Sequence, residues 1–201
     1  MENVVVSIFH IESEAFQAFS ELKQFVQTEN TKLAQASIVK AENGVVNVKD
    51  SFDLMNSLGD DYFEGGLIGS LIGILGGPLG VLFGFATGGA IGASVGSDKE
   101  LINSALITTV SNKLTNGEVA IIALVQENDE SVLNAIFEKY QVDIARWDVA
   151  TVAAEIESAL KIQEDLEHQA KARLIADKKE ARREKFDKLK ASIKEKFSKK
   201  N

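Results

Sequence analysis

The chain of 201 residues contains no cysteine. This absence excludes disulfide frameworks, zinc sites built on thiolates and cysteine nucleophiles. Histidine is scarce too, since only His10 and His168 are present and they do not form a His-x-x-x-His pair. An acidic calcium-binding loop and the lysine of a phosphate-binding loop are also missing. The sequence therefore predicts no metal, no cofactor and no small-molecule substrate, and we expect a protein that is not an enzyme.

Charged side chains are missing from one long stretch, residues 65–97, which reads GGLIGSLIGILGGPLGVLFGFATGGAIGASVGS. Twelve of the fifteen glycines lie in it, on both sides of the only proline. Most recur every fourth residue, close to one helical turn, and so form stripes along a helix face. Glycine costs about 1 kcal/mol relative to alanine inside a helix, and close approach of a second helix is the usual compensation. We therefore predict a glycine-faced helical hairpin, with packing residues Gly65, Gly69, Gly73, Gly77, Pro78, Gly80, Gly84, Gly88, Gly92 and Gly96.

Three environments are open for this hairpin. Because proline is tolerated in the first turn of a helix, Pro78 is expected to begin the second arm. Arms of about twelve and eighteen residues reach ~18 Å and ~27 Å, whereas a bilayer core is ~30 Å thick. The hairpin either enters a membrane as a wedge or bundle, packs between protomers of a soluble oligomer, or folds back on its own sheet. The first two are favoured, since so large an uncharged surface indicates a lipid or protein partner.

The rest of the first 150 residues alternates between strand and helix patterns. Apolar or alternating runs predict strands at 3–9, 33–41, 45–52, 118–126 and 142–149. Helices are expected from Glu12 or Ser13, from Asp98 through about Leu114, and from Asn128 or Asp129. The inward positions expected in the first helix are Phe16, Phe19, Leu22 or Lys23, and Val26, flanked by Ala15, Ala18 and Phe25. The tripeptide Glu42-Asn43-Gly44 is a tight hairpin turn. This order predicts an α+β fold of ferredoxin-like type, with a mainly antiparallel sheet covered by helices.

Residues 151–201 contain no glycine or proline and predict one long helix, roughly 75 Å if unbroken. Its first part carries a seam of apolar residues that can face a partner: Ile156, Ala159, Leu160, Leu166, Ala170 and Leu174. Its end is a basic amphipathic segment made of Lys185, Phe186, Lys188, Leu189, Lys190, Ile193, Lys194, Lys196 and Phe197.

Charge is divided unevenly along the chain, whose net charge is −8. Residues 1–160 hold 22 acidic and 8 basic side chains, whereas residues 161–201 hold 8 acidic and 14 basic ones. The basic end can attach to an anionic lipid surface. Alternatively it docks on the acidic body of a neighbour or is simply solvated. Nucleic acid is not expected as a partner, because the whole chain is acidic and lacks an aromatic-basic sheet motif.

Four segments together carry a resemblance to a known group of proteins. These are ASIVKAENGVVNVKDSFD, the GGPLG turn inside the glycine-rich stretch, EVAIIALVQE and VDIARWDVA. They resemble a family of small bacterial proteins of unknown function, across about residues 3–150. The resemblance implies a ferredoxin-like α+β body interrupted by a glycine-zipper hairpin, in proteins often labelled as membrane or stress-related. It implies no catalytic residue and does not include the long C-terminal helix.

These features predict residues 1–150 as a ferredoxin-like domain with residues 65–97 inserted, followed by the helix of residues 151–201. The N-terminus has no basic segment before its apolar residues, so no signal peptide is expected. We expect a self-associating protein at the cytoplasmic face of the bacterial membrane, with the hairpin in lipid or between protomers and the basic end on anionic lipid. The alternative is a soluble, cytoplasmic, stress-related homo-oligomer whose hairpins form a shared core.

Overall fold

The structure is a computed structural model that describes residues 1–54, 66–77, 80 and 105–198, with the side chains of the C-terminal helix described no further than residue 185. A compact unit comprises Met1–Leu160, and the remainder of the last helix forms a second unit. The strands are β1 (Glu2–Phe9), β2 (Thr31–Glu42), β3 (Val45–Asp53), β4 (Val119–Glu127) and β5 (Val142–Asp148). The helices are α1 (Glu12–Lys23), α2 (Leu67–Gly76), α3 (Leu106–Lys113), α4 (Ser131–Phe137) and α5 (Val149–Ser198).

The described strands form one antiparallel sheet in the order β3-β2-β4-β1-β5. Without the edge strand β3, this is the strand order of a ferredoxin-like sheet. Helix α1 connects β1 to β2, and β4 lies between these two strands; helix α4 connects β4 to β5, and β1 lies between them. The α+β fold is therefore confirmed. The most continuous apolar runs, in β1 and β4, occupy central positions where both faces are covered.

One face of the sheet packs against α1 and α4. Its core contains Phe9 of β1, Phe19 and Leu22 of α1 and Phe137 of α4, all nearly inaccessible to solvent. The rings of Phe9 and Phe137 meet edge to face with centroids 6.2 Å apart. The chain enters this layer from β1, which precedes α1, and from β4, which precedes α4.

Two of the residues expected inside from α1 lie at the surface. Phe16 is 38% exposed and Val26 is 79% exposed. The sheet receives the small residues Ala15 and Ala18 instead, together with Phe19. Val26 lies beyond Lys23, where α1 ends, so helical spacing no longer determines its direction.

The opposite face of the sheet lies under α2, α3 and the first turns of α5. Alternate residues of β1 and β4 point this way, among them Val6 and Ile122. Helix α2 packs against β2, β3, β4 and α3. From α5, Val152 and Ile156 are buried. The two helical layers therefore give the sheet a core on each side.

The β2–β3 turn and the start of α5 are determined by residues close to them in the sequence. Asn43 (φ 56°) and Gly44 (φ 76°) form the expected β2–β3 turn, since both lie in the left-handed region. Asp148 precedes α5, and its Oδ1 accepts the backbone N–H of Ala150 at 2.9 Å.

The single helix expected from Asp98 to Leu114 is wrong, because Ala105 is extended (φ −62°, ψ 134°) and α3 begins only after it. Asp98 itself lies outside the described residues.

Candidate functional site

Helix α2, the first arm of the glycine-rich stretch, has two chemically different sides. Its bulky side chains Ile68, Leu71, Ile74 and Leu75 are almost completely buried. They pack within the same chain, against the sheet and α3. The other side carries the small residues Gly69, Ser70 and Gly73, of which Gly73 is exposed and the other two are half-buried. Among the residues that the structure describes, those of the same protomer therefore cover the aliphatic side of this arm and leave Gly73 uncovered.

The glycines of this arm serve different purposes. A Cβ on Gly73 would meet none of the described residues within 4 Å, so that part of the chain leaves the surface around Gly73 open. A Cβ on Gly76 would lie 2.7 Å from the carbonyl oxygen of Val46, so only glycine fits between α2 and β3. Gly77 is extended and ends the helix, and a Cβ there would lie 2.7 Å from the carbonyl oxygen of Gly73. Gly80 is buried, and a Cβ on it would overlap the carbonyl oxygen of Leu75.

Only part of the predicted packing surface falls within the structure. Gly69, Gly73, Gly77 and Gly80 are described, and Gly69 is half-buried beside the exposed Gly73 on α2. The remaining positions lie outside the described residues: Gly65, Pro78, Gly84, Gly88, Gly92 and Gly96. The described arm is ten residues long. Among the described helices, none combines the length and apolarity that crossing a membrane requires.

Helix α5 is continuous from Val149 to Ser198, as the composition predicted. Leu160, Leu166 and Leu174 of the expected seam are between 43% and 59% exposed, whereas Ile156 and Ala159 are buried in the first unit. Lys185 is exposed at the start of the basic segment. The rest of that segment is described as helical backbone only: Phe186, Lys188, Leu189, Lys190, Ile193, Lys194, Lys196 and Phe197.

Sequence reasoning missed a buried ion pair at one end of the sheet. The carboxylate of Glu127, at the end of β4, is only 1% exposed and receives the Nε–H of Arg146 at 2.8 Å. Asn3 donates to the same oxygen at 3.1 Å. Arg146 also donates from Nη2 to the side-chain oxygen of Asn134 at 2.7 Å. The sequence did contain a signal for this buried arginine, because strand alternation places Arg146 on the same face as Val142 and Ile144.

Glu155 of α5 is a second unexpected site. Its carboxylate accepts the backbone N–H groups of Leu106 at 3.1 Å and Ile107 at 3.3 Å, and so caps the N-terminus of α3. Burial raises the pKa of Glu155, and the two backbone hydrogen bonds oppose that shift only in part. Helical spacing from Val152 and Ile156 would have placed it on the inward side of α5.

Polar side chains placed to catalyse a reaction or to bind a ligand are sparse in the part of the chain that the structure describes. A crevice of about 20 Å³ between α3 and β5 has room for one water molecule. An open cavity of about 240 Å³ is lined by Met1, Asn3, Glu127, Asn128 and Glu130. His10 is exposed and pairs with Glu118 at 3.2 Å. No group of three or more His, Asp or Glu side chains among these residues could hold a metal ion.

Comparison with known proteins assigns the chain to a family. Residues 63–167 match the model of the family described as "Protein of unknown function (DUF1269)". The match covers slightly more than half of the chain. The protein belongs to the DUF1269 family. No curated protein and no solved structure matches it.

The DUF1269 match corrects the extent of the resemblance stated from the sequence. It begins after β3 and includes the glycine-rich stretch, α3, β4, α4 and β5. It also extends into α5, which was expected to lie outside. The strands β1, β2 and β3 complete the sheet but precede the matched residues. The glycine-rich arm and the beginning of the long helix thus belong to the family's own sequence.

Proposed function

We propose that this protein is a non-enzymatic, self-associating protein in which the glycine side of α2 is the packing surface. The observation that carries the proposal is the division of α2 into a buried aliphatic side and an open side with exposed Gly73. Small residues let two helix backbones approach closely, and dispersion contacts along the backbones then hold them together. The partner is a second copy of the chain, because a two-fold axis lets the same glycine face serve both sides.

The buried aliphatic side of α2 favours a protein partner over lipid for this arm. A helix that enters a bilayer presents its bulky apolar side chains to the acyl chains. In this structure Leu71 and Leu75 pack within their own protomer, so lipid insertion would require this arm to leave the sheet. That step would expose apolar surface of the sheet to water, at about 25 cal/mol per Å². We therefore place the shared-core homo-oligomer ahead of the membrane-inserted hairpin.

The substitution Gly73→Leu tests this proposal, with Gly73→Ala as its matched control. Position 73 is exposed and a Cβ there meets no described residue within 4 Å, so neither substitution should prevent folding. Leucine should hold two helices apart and lower the mass measured by light scattering, whereas alanine should change it little. Thermal unfolding monitored by circular dichroism checks that both variants are folded. An unchanged mass for Gly73→Leu, or a monomeric unsubstituted protein, would overturn the proposal.

A second role is favoured by the basic amphipathic end of α5. Its lysines and phenylalanines suit an anionic lipid surface, such as the cytoplasmic face of a bacterial membrane. In this role the basic end of α5 would hold the protein at the membrane while the glycine side of α2 pairs two copies. Flotation with vesicles of phosphatidylglycerol and phosphatidylcholine tests this role. The protein should float with anionic vesicles and lose that ability when Lys188, Lys190 and Lys194 become Glu; a protein that stays at the bottom refutes it.

A further inference from the structure

The sequence contains two Asn-Gly dipeptides, Asn43-Gly44 and Asn116-Gly117, and the fold brings them together. The first is the turn between β2 and β3, and the second lies between α3 and β4. The contact is direct, because the side-chain Oδ1 of Asn116 accepts the backbone N–H of Asn43 at 2.7 Å. Both asparagines are exposed. The side chain of an asparagine is most open to attack by its own backbone when glycine follows, because glycine has no Cβ to hinder the approach.

The reaction in question is deamidation, which requires water and no enzyme. The backbone nitrogen of the glycine loses its proton and bonds to the side-chain carbonyl carbon of the asparagine. The side-chain nitrogen leaves as ammonia, and a five-membered succinimide ring remains. Water then adds to one of the two ring carbonyls and opens the ring. The product is either aspartate or isoaspartate, in which the backbone runs through the side chain.

The two dipeptides differ in how their reacting groups are held. At Asn116 the side-chain oxygen is engaged by Asn43, and the attacking nitrogen, that of Gly117, donates its N–H to the carbonyl oxygen of Ala41 at 2.7 Å. At Asn43, by contrast, the side chain has no hydrogen-bond partner among the described residues, and neither has the N–H of Gly44. Only the second dipeptide is therefore held by bonds to its own reacting groups.

We propose that Asn43 is a site of spontaneous modification to isoaspartate and aspartate, and that Asn116 is its protected counterpart. The amide of Asn43 and the nitrogen of Gly44 meet once the backbone between them rotates out of the turn. Asn116 must give up two further hydrogen bonds first, which corresponds to a rate roughly tenfold to a hundredfold lower. The proposal goes beyond the proposed function, because it does not depend on what packs against α2.

Modification at position 43 acts on the edge strand β3. Asn43 (φ 56°) and Gly44 (φ 76°) form the two-residue turn that sets the register of β2 against β3. Isoaspartate lengthens the backbone of this turn by a carbon atom, so the same register cannot be kept. Val46 of β3 in turn contacts Gly76 at the end of α2. The modified chain should therefore unfold more easily than the unmodified one.

The two sites are compared by incubating the purified protein in warm, mildly alkaline buffer, which favours loss of the glycine proton. A parallel sample in concentrated urea gives the rates of the unfolded chain. Trypsin cuts after Lys40 and Lys49, so Asn43 and Asn116 fall in separate peptides, and mass spectrometry measures the fraction of each that has exchanged its amide for a carboxyl group.

In the folded protein Asn43 should react roughly tenfold to a hundredfold faster than Asn116. In urea the two should react at similar rates, because both are followed by glycine and neither is held by the fold. Equal rates in the folded protein, a faster reaction at Asn116, or a reaction at Asn43 that occurs only in urea would overturn the proposal.

Asn43→Gly is the matched control, since glycine suits the left-handed turn and has no amide to lose. Isoaspartate is measured with a methyltransferase that labels isoaspartyl carboxylates and not those of normal aspartate. The wild-type protein should gain label on incubation and Asn43→Gly should gain little. Asn116→Gly should gain at least as much as wild type, because it removes only the acceptor of the Asn43 N–H. Equal labelling of wild type and Asn43→Gly would refute the assignment.

The effect on β3 is measured by urea unfolding before and after incubation. The midpoint should fall for the wild-type protein and stay constant for Asn43→Gly, which experiences the same conditions without the modification. A wild-type protein that is modified at Asn43 and keeps its midpoint would show that the turn accommodates isoaspartate, and the proposed effect on β3 would be wrong.

Discussion

Gly76 and Val46 meet backbone to backbone, with only 2.7 Å between the carbonyl oxygen of Val46 and the place where a Cβ of residue 76 would stand. Gly76 is the last residue of α2, and Val46 lies near the beginning of the edge strand β3. This contact positions the end of α2 against the edge strand of the sheet. The glycine spacing in this arm therefore has two origins: contact with the sheet at Gly76 and an open surface at Gly73.

Alanine at the two positions should have opposite effects on stability. Gly76→Ala should lower the free energy of unfolding by about 1–3 kcal/mol, because the methyl group forces α2 away from β3. Gly73→Ala should raise it by up to about 1 kcal/mol, since the helix gains propensity without a clash. Urea unfolding followed by circular dichroism measures both. Equal effects at the two positions would show that α2 does not lie against β3 as described.

The buried pair of Glu127 and Arg146 should be more important to the fold than any surface ion pair. Arg146→Met leaves the carboxylate of Glu127 buried without its cation, which should cost about 3–5 kcal/mol. Adding Glu127→Gln to Arg146→Met should recover most of that loss, because the charge is then removed as well. The single and double variants are compared by urea unfolding. A double variant no more stable than Arg146→Met would contradict the charge-based explanation.

The sequence predicted the sheet well because each strand can be recognised from its own residues. The run VAIIALV is entirely apolar and VVVSIF is so except for Ser7, which is typical of central strands, and Asn43-Gly44 strongly favours a turn. Strand β5 was predicted from simple alternation. These signals depend on neighbouring residues only, so a single sequence contains them.

The features that the sequence did not reveal depend on contacts between distant residues. The late start of α3 follows from the extended Ala105 and the cap by Glu155, about fifty positions away. The inward side of α1 depends on which residues the sheet can accommodate, which is why Ala18 lies inside and Phe16 does not. At the candidate site, spacing predicted a glycine stripe, but only the position of the sheet determines that Gly73 faces outward and Gly76 inward.

Glu155 should make stability depend on pH in the acidic range. Its pKa is raised above the ordinary 4.5 by burial, so the folded state holds the proton more tightly than the unfolded state. The contribution of Glu155 is therefore fully present below pH 4.5 and is lost as pH rises through the raised pKa. Relative to Glu155→Gln, the wild-type protein should lose stability as pH rises from 4.5 through the raised pKa. Thermal unfolding of both proteins across this range measures the difference, and a difference that grows with pH would be contrary to this expectation.

Tyr140 should make stability depend on pH at the alkaline end. Its hydroxyl donates to Oε1 of Glu21 at 2.6 Å, while Lys139 donates to Oε2 at 2.7 Å. Burial, and then the hydrogen bond to Glu21, raise the pKa of Tyr140 from 10.0 to about 12. Between these values the folded state keeps the phenolic proton and the unfolded state releases it, so the free energy of unfolding falls as pH rises.

The matched variant is Tyr140→Phe, which keeps the ring and removes the hydroxyl. Absorbance at the phenolate band should show a tyrosine ionising near pH 12 in the wild-type protein and none there in the variant. The stability advantage of wild type over Tyr140→Phe should be constant below pH 10 and shrink from pH 10 to pH 12. Ionisation of Tyr140 near pH 10 in the folded protein would show that its hydroxyl is not held by Glu21, and the link between α1 and the residues after α4 would then be absent in solution.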